Sequence, residues 1–210
     1  MVKTWINTQD FLRFAFTHSF SQIDYSSVSK HFFQLIGECG GTNYLVRPPT
    51  AEVQSVVAST IRSAFEYQGQ KCSACSRVYV PESLWGDIKE GLVETQKSLK
   101  MGPATEADSF MSAVIDKKAF QRLSSYIEHA KASPDCSIVA GGGYDDSVGY
   151  FVEPTIVQVT TPEDKCFKEE IFGPLVSVYV YKDSDCMNTL KAIGDHTPYA
   201  LTGALYCHDQ

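Results

Sequence analysis

The hydrophobic positions between Val53 and Phe65 recur every three or four residues, which is the spacing of one apolar helix face. Thr50 stands before this stripe as a candidate N-cap, and Gly69 follows it as a residue suited to end a helix. Two prolines directly before Thr50 disfavour an earlier start, because a proline keeps the residue in front of it out of the helical region. The pattern therefore predicts a helix between Thr50 and Gly69.

Three further helices are predicted downstream. Apolar residues at helical spacing span 84–99 and again 120–130, and Asp116 stands where a cap for the second of these helices is expected. Ser184 is another capping residue type, and it opens a segment that reads as helix to about Gly194.

Short runs of β-branched and aromatic residues lie between these helices and predict strands. The run at 137–140 reads as a buried strand. Pro154 interrupts another run, which places that strand at a sheet edge or at a bulge, because proline cannot donate to a ladder. The alternation of strands with helices predicts an α/β fold with a mostly parallel sheet flanked by helices. The predicted strands cover 77–80, 137–140, 151–157, 176–181 and 204–206.

Composition is that of an ordinary globular protein, since 43% of the 210 residues are hydrophobic and 20% are charged. A net charge of −7 disfavours nucleic acid or an anionic membrane as a partner. No apolar stretch has the length of a membrane span, and the N-terminus shows neither a secretory leader nor a clear transit peptide. Seven cysteines, an odd number without regular spacing, favour reduced thiols over a disulfide framework.

The candidate chemistry depends on a cysteine and a glutamate, each in a glycine-bearing segment. Cys72 ends Gly69-Gln70-Lys71-Cys72, between the first predicted helix and the strand at 77–80. Glu38 stands 34 residues earlier, flanked by small residues. A thiolate that attacks a carbonyl and a carboxylate that activates water are the two groups that thiol-based acyl chemistry needs. Cys72 and Glu38 are therefore a candidate nucleophile and base.

Both residues also have a structural interpretation, Cys72 as a small core residue and Glu38 as a carboxylate in a surface turn. Cys72 and Cys75 form a Cys-x-x-Cys pair, a spacing that zinc sites and redox dithiols share. A zinc site needs two further ligands, and the sequence shows no second pair. A redox dithiol usually opens a helix after a strand, which is the reverse of the order here. None of the five histidines has metal-ligand spacing, so the sequence predicts no metal site.

Three motifs, in this order along the chain, resemble those of the NAD(P)-dependent aldehyde dehydrogenases. Glu38-Cys39-Gly40-Gly41 is similar to the glutamate motif of that family, and residues 65–76 around Cys72 are similar to its active-site cysteine signature. Glu169-Glu170-Ile171-Phe172-Gly173-Pro174 is similar to its cofactor-contacting motif. The Δ1-pyrroline-5-carboxylate dehydrogenase branch of the family is the most similar, on these motifs and on segments 112–116 and 145–154.

The resemblance implies an aldehyde-dehydrogenase-like catalytic domain and a role for each matched residue. Cys72 would attack the aldehyde, with its own backbone N–H available to the oxyanion, and Glu38 would activate the water that hydrolyses the thioester. Glu170 would bind the ribose hydroxyls of NAD, and Phe172 would pack near the nicotinamide ribose. Without the resemblance, Glu170 reads as a capping carboxylate and Phe172 as a core aromatic. No segment matches the asparagine that this family uses as a second oxyanion donor.

The resemblance also implies a substrate, a compartment and an assembly. Members of the branch oxidise L-glutamate γ-semialdehyde to L-glutamate in proline catabolism, in the mitochondrial matrix, and a homo-oligomer is expected for them. Because this aldehyde carries a carboxylate, Lys71 and Ser73 beside the thiol are candidate substrate-binding residues, although Lys71 also reads as a solvated surface charge. Two alternatives stay open: an aldehyde dehydrogenase of other specificity, and a catalytically incomplete chain that binds no cofactor.

The resemblance extends from about Leu35 to about Tyr206. Residues 35–210 are therefore expected to be a partial catalytic domain, and residues 1–34 are a poorly matched segment. The N-terminal cofactor domain of the family is not recognisable, and 1–34 is too short to supply it, since a single βαβ unit already takes ~30 residues. A C-terminal segment of the family is expected to be absent as well.

Overall fold

The computed structural model describes residues 40–48, 52–199 and 201–206. The chain divides into two compact units, residues 1–40 and residues 41–210, and the architecture that follows belongs to the second. The poorly matched segment 1–34 lies outside the described residues.

A six-stranded sheet forms the centre of this unit, in the order β3-β6-β7-β2-β1-β8. Only β3 runs antiparallel to its neighbour, and the other four pairings are parallel, which confirms the mostly parallel α/β prediction. A separate two-stranded ribbon pairs β4 with β5. The strands are β1 (Asn43–Val46), β2 (Cys75–Pro81), β3 (Cys136–Ala140), β4 (Tyr144–Asp145), β5 (Phe151–Val152), β6 (Thr155–Val159), β7 (Leu175–Tyr181) and β8 (Gly203–Leu205).

Helices cover both faces of the sheet. Alternate residues of β2 point to opposite sides, so that Val78 and Val80 pack with α1 and α2 in one core, and Tyr79 packs with α3 and α4 in the other. Each core thus buries the apolar faces of the helices that pack on it. The spacing of apolar residues along the sequence predicted such faces. The helices are α1 (Val53–Phe65), α2 (Glu82–Ser98), α3 (Lys117–Ala132), α4 (Lys165–Lys168) and α5 (Cys186–Ala192).

The predicted helix limits are confirmed in part. Asp116 caps α3 as predicted, because its Oδ1 accepts the Ala119 N–H at 2.7 Å. The first helix ends at Phe65 rather than at Gly69, and a 3-10 turn covers Glu66–Gly69. Thr50, the predicted cap of that helix, lies outside the described residues.

Two strand predictions and one cap prediction are wrong. β3 is not a buried strand: it is the edge of the sheet and half-exposed. The strand predicted around Pro154 divides into β5 and β6, and β6 lies inside the sheet between β3 and β7. Because Pro154 stands between those two strands, it never has to donate to a ladder. Ser184 lies within a 3-10 turn, Asp183–Asp185, and makes no capping bond to α5.

No helix among the described residues has both the length and the apolar character needed to cross a membrane.

Candidate active site

The segment between α1 and β2 takes an unusual backbone path before it reaches Cys72. Tyr67 and Gln68 have φ of 56° and 57°, and Gly69 has φ of 63°, so three successive residues are left-handed. Such a conformation costs a non-glycine residue of the order of 1 kcal/mol or more and persists only where its surroundings impose it. At Gly69 a Cβ would lie 2.4 Å from the Gly173 carbonyl oxygen, so only glycine fits there. This reversal ends α1 and leaves Cys72 exposed ahead of β2.

The two cysteines of the Cys-x-x-Cys pair have opposite environments. Cys72 is exposed on the loop, and Cys75 begins β2 with 7% of its surface accessible. The Cys75 thiol donates to the Arg77 carbonyl at 3.6 Å, and burial raises its pKa to about 12. Because a thiol is nucleophilic only as the thiolate, Cys75 is inert at neutral pH and Cys72 is the thiol placed for chemistry.

Asn43 holds the carbonyl of Cys72 in place, a role that the sequence analysis missed. Its Nδ2 donates to the carbonyl oxygens of Cys72 and Ala74 at 2.7 and 2.8 Å. Its Oδ1 accepts the Thr202 N–H at 2.9 Å. The side chain is buried at the start of β1 and uses both of its N–H donors. The sequence gave no indication of this role, because Asn43 is a single asparagine at the start of a four-residue strand and belongs to no recognised motif.

Gly41, the last residue of the glutamate motif, lies against the same carbonyl. A Cβ at this position would stand 2.5 Å from the Cys72 carbonyl oxygen, well inside van der Waals contact. The glycine is therefore required by close approach of two backbones, which the Gly40-Gly41 pair permits. Glu38 itself, the predicted base, lies outside the described residues, so its catalytic role stays a prediction.

Glu170 joins the third motif to the second. Its Oε1 accepts the Gly41 N–H at 2.8 Å, and within 40–48, 52–199 and 201–206 no donor reaches its Oε2. The cavity between these loops measures about 10 Å³, which is room for one water at most. Any larger group must therefore meet the free carboxylate oxygen from the open side of the loops.

Phe172 is presented outward by a constrained turn. It has φ of 54° and 41% of its surface is accessible. Arg122 of α3 holds this turn, because its Nε donates to the Ile171 carbonyl at 3.1 Å. The interpretation of Phe172 as a core aromatic is wrong, since the backbone directs the ring to the surface. Arg122 is a second supporting residue that sequence reasoning did not predict.

Lys71 and Ser73 flank the thiol on the exposed loop. The Lys71 ammonium is not free: its Nζ lies 2.8 Å from Glu66 Oε2, and both side chains are partly exposed. Ser73 is exposed, and no residue of the described chain bonds its hydroxyl. The structure thus places both predicted substrate-binding residues beside Cys72, with Lys71 already paired to a carboxylate.

The backbone amide of Cys72 is available as a donor. Among the residues that the structure describes, none accepts a hydrogen bond from this N–H, whereas the neighbouring Ala74 N–H donates to the Lys71 carbonyl at 3.1 Å. A backbone N–H next to a thiol can stabilise the negative charge that forms on a carbonyl oxygen when the sulfur attacks the carbonyl carbon.

Comparisons with known proteins converge on one family. The sequence model described as the aldehyde dehydrogenase family matches residues 9–210. The Danio rerio protein named mitochondrial Delta-1-pyrroline-5-carboxylate dehydrogenase is 52% identical over 184 residues, which is 87% of this chain and 33% of that protein. The Homo sapiens protein of the same name is 51% identical over 197 residues, 93% of this chain and 35% of that protein.

A solved structure shows the same fold. The crystal structure of the Delta-pyrroline-5-carboxylate dehydrogenase from Mycobacterium tuberculosis bound with NAD superposes with a TM-score of 0.77 at 36% identity. The match covers 88% of this chain and 34% of that one. The chain thus spans about a third of the length of the relatives it matches.

Proposed function

Because the chain belongs to the aldehyde dehydrogenase family, we propose that it carries the nucleophile of an NAD-dependent oxidation of L-glutamate γ-semialdehyde, formed from Δ1-pyrroline-5-carboxylate, to L-glutamate. One observation carries this proposal: Cys72 is exposed on a loop, its carbonyl accepts a hydrogen bond from Asn43, and its backbone N–H has no acceptor among the described residues. The names of the relatives support this choice of substrate, and the word mitochondrial in those names supports a location in the mitochondrial matrix.

The chemistry begins at the sulfur of Cys72. Its thiolate attacks the aldehyde carbon, a C–S bond forms, and the carbonyl electron pair moves onto oxygen, where the Cys72 N–H can donate to it. Glu170 and Phe172 would hold the ribose of NAD⁺, which would supply the hydride acceptor needed to convert the Cys72 adduct to a thioester. Glu38 then takes a proton from water, the resulting hydroxide attacks the thioester carbon, and the C–S bond breaks to release the carboxylate.

Two residues of the third motif fit the ribose of a nicotinamide nucleotide. Glu170 keeps one carboxylate oxygen without a partner in the described chain, and a carboxylate oxygen accepts hydroxyl hydrogen bonds. Phe172 offers an exposed aromatic face, which suits packing against a sugar. We assign ribose hydroxyl binding to Glu170 and ribose packing to Phe172.

The distal carboxylate of the substrate is assigned to Lys71 and Ser73. The ammonium of Lys71 is paired with Glu66, but a partly exposed ion pair of this kind contributes only about 0–1 kcal/mol to stability. The substrate carboxylate can therefore replace Glu66 as the partner of Lys71. Ser73 supplies a neutral donor next to it.

The proposal is tested by NADH formation from NAD⁺ and glutamate semialdehyde by the 210-residue chain. The matched variants are Cys72→Ser, which removes the nucleophile, and Cys75→Ala, which removes the buried thiol of the same pair. Activity lost only in Cys72→Ser, and reduced for an uncharged aldehyde of equal length, supports the assignment. A Lys71→Met variant that keeps the preference for the charged aldehyde removes Lys71 from the substrate site.

A second readout separates the nucleophile from the oxidation. Alkylation of each cysteine by iodoacetamide is followed by mass spectrometry in the absence of cofactor. If Cys72 is modified faster than the other thiols but no NADH forms, the nucleophile is as described and the isolated chain does not oxidise the aldehyde. That result selects the alternative of a catalytically incomplete chain.

A further inference from the structure

A second cluster of reactive side chains lies on elements that do not carry the Cys72 loop. His129 is in the last turn of α3, Cys136 opens β3, Asp164 caps α4, and Cys166 lies within α4. One ligand atom from each of the four, imidazole nitrogen, carboxylate oxygen or sulfur, lies within 4.8 Å of all the others. The mechanism proposed for Cys72 uses none of them.

We propose that His129, Cys136, Asp164 and Cys166 form a binding site for a single divalent zinc ion. Two thiolates, one imidazole and one carboxylate are all ligand types that zinc takes, and four is its usual coordination number at structural sites. With zinc–ligand bonds of about 2.0–2.3 Å, the edges of the tetrahedron are roughly 3.3–3.8 Å. A pair at the widest separation, 4.8 Å, therefore needs to contract by roughly 1.0–1.5 Å.

The hydrogen bonds already present orient two of the four ligands. Asp164 Oδ1 accepts the Cys166 N–H at 2.8 Å, which fixes the carboxylate and leaves Oδ2 directed at His129. His129 Nε2 lies 2.9 Å from that Oδ2, within hydrogen-bonding distance. Zinc would bind both atoms, with the single proton of the neutral imidazole on Nδ1 and with Oδ1 still held from behind by the amide.

The sulfurs complete the set from two sides. Cys166 is buried, and its thiol makes a weak bond, 3.8 Å long, to the Tyr126 carbonyl. Cys136 is half-buried on the edge strand, and the His129 side chain is 30% accessible, so an ion can enter from solvent on this side. Binding converts two thiols to thiolates and releases their two protons to solvent, with no change of oxidation state.

The ordinary explanation of the cluster is an N-cap with an ion pair, beside two unreactive core cysteines. The two explanations differ in whether a thiophilic ion binds with a stoichiometry of one. They also differ in what Cys136 and Cys166 contribute, since neither thiol is needed for the His129–Asp164 pair. Spacing along the sequence does not reveal the set, because its members come from four separate positions in three elements and one cap.

The test is Co²⁺ titration of the full chain, freed of metal by a chelator and kept reduced. Tetrahedral thiolate ligation gives visible d–d bands and a near-ultraviolet sulfur-to-cobalt charge-transfer band, and added Zn²⁺ should abolish both. We expect saturation at one ion per chain, and at least about tenfold weaker binding in Cys136→Ser and in His129→Ala. Cys75→Ala, which removes a thiol of the other core, should bind as the wild type does.

Protection of the thiols gives an independent readout. Zinc should slow alkylation of Cys136 in the wild type and leave the rate at Cys72 unchanged. Absence of the cobalt bands, or bands that survive Cys136→Ser and Cys166→Ala in variants with unchanged circular dichroism, would overturn the proposal. Recovery of Cys136 and Cys166 as a disulfide from the reduced protein on exposure to air, with no cobalt binding, would overturn it in favour of a redox pair.

Discussion

Cys72 and Cys75 are three residues apart and differ in almost every property that governs a thiol. Cys72 stands on an exposed loop that follows a left-handed turn, its carbonyl accepts a hydrogen bond from Asn43, and no described residue accepts from its backbone N–H. Cys75 is the first residue of a central parallel strand, and its burial raises its pKa to about 12. The difference shows that the backbone path between α1 and β2, rather than residue type or motif spacing, decides which of the two thiols is exposed.

The largest expected effect separates the two thiols directly. Cys72→Ser should lower aldehyde oxidation by roughly 10³-fold or more, because the hydroxyl is a far weaker nucleophile at neutral pH. Cys75→Ala should leave the rate within a few-fold of wild type, since this thiol stays protonated. Steady-state NADH production measures both, with circular dichroism as the check that both variants fold. Equal losses in the two variants would contradict the comparison.

The second largest expected effect concerns the hydrogen bond that Asn43 donates to the Cys72 carbonyl, the carbonyl clamp. Asn43→Ala removes three hydrogen bonds from a buried site and should lower the free energy of unfolding by about 2–4 kcal/mol. Asn43→Asp is the matched variant, because it can still accept the Thr202 N–H but cannot donate to either carbonyl. If urea denaturation shows Asp to be as stable as Asn, the carbonyl clamp contributes nothing.

Close packing against the same carbonyl comes third. Gly41→Ala places a methyl group 2.5 Å from the Cys72 oxygen and should destabilise the fold by about 1–3 kcal/mol. Gly86→Ala in α2 is the control: nothing lies within 4 Å of the added methyl, and alanine should stabilise the helix by about 0.5–1 kcal/mol. Alkylation of Cys72 should change in rate in the first variant and stay constant in the second.

The smallest effect appears only at alkaline pH. An unfolded thiol ionises above about pH 8.5, whereas Cys75 in the folded protein stays protonated until about pH 12. Its contribution to stability is therefore complete below pH 8.5 and is lost as pH rises, by about 2 kcal/mol between pH 8.5 and 10. Cys75→Ala should show a correspondingly flatter decline of urea midpoints over this range, and an identical slope would contradict the burial of this thiol.

Patterns within a short stretch of sequence were sufficient to predict several helices and strands. The apolar stripes predicted α1, α2 and α3, and Asp116 caps α3 as its position indicated. The run at 176–181 predicted a strand, and the structure has β7 there. The family motifs predicted roles for Cys72, Glu170 and Phe172, and these roles stay predictions. In the structure Glu170 and the Cys72 carbonyl both lie against Gly41, and Phe172 lines the same small cavity as Gly41 and Glu170.

Long-range pairing set the features that the sequence did not predict. Asn43 acquires its role only because β1 lies beside both β2 and β8, so its partners are 29 and 159 residues away. Pro154 suggested an edge strand because proline is excluded from ladders, and the fold satisfied that rule by ending one strand and starting another around it. The Lys71–Glu66 pair was missed since it depends on the left-handed turn between them.

The bond between Thr202 and Asn43 has a consequence for the order of folding. It joins residues 159 apart, so a ribosome must synthesise the segment from Asn43 to Thr202 before the bond can form. The entropic cost of closing a loop grows by about 0.6 kcal/mol for each doubling of its length. Helices do not carry this cost, because their hydrogen bonds join residues only a few positions apart. We therefore expect the surroundings of the Cys72 carbonyl to be completed late, after the helices and the β2–β7 pair. During synthesis, Cys72 therefore leaves the ribosome long before Thr202, the last hydrogen-bond partner of Asn43.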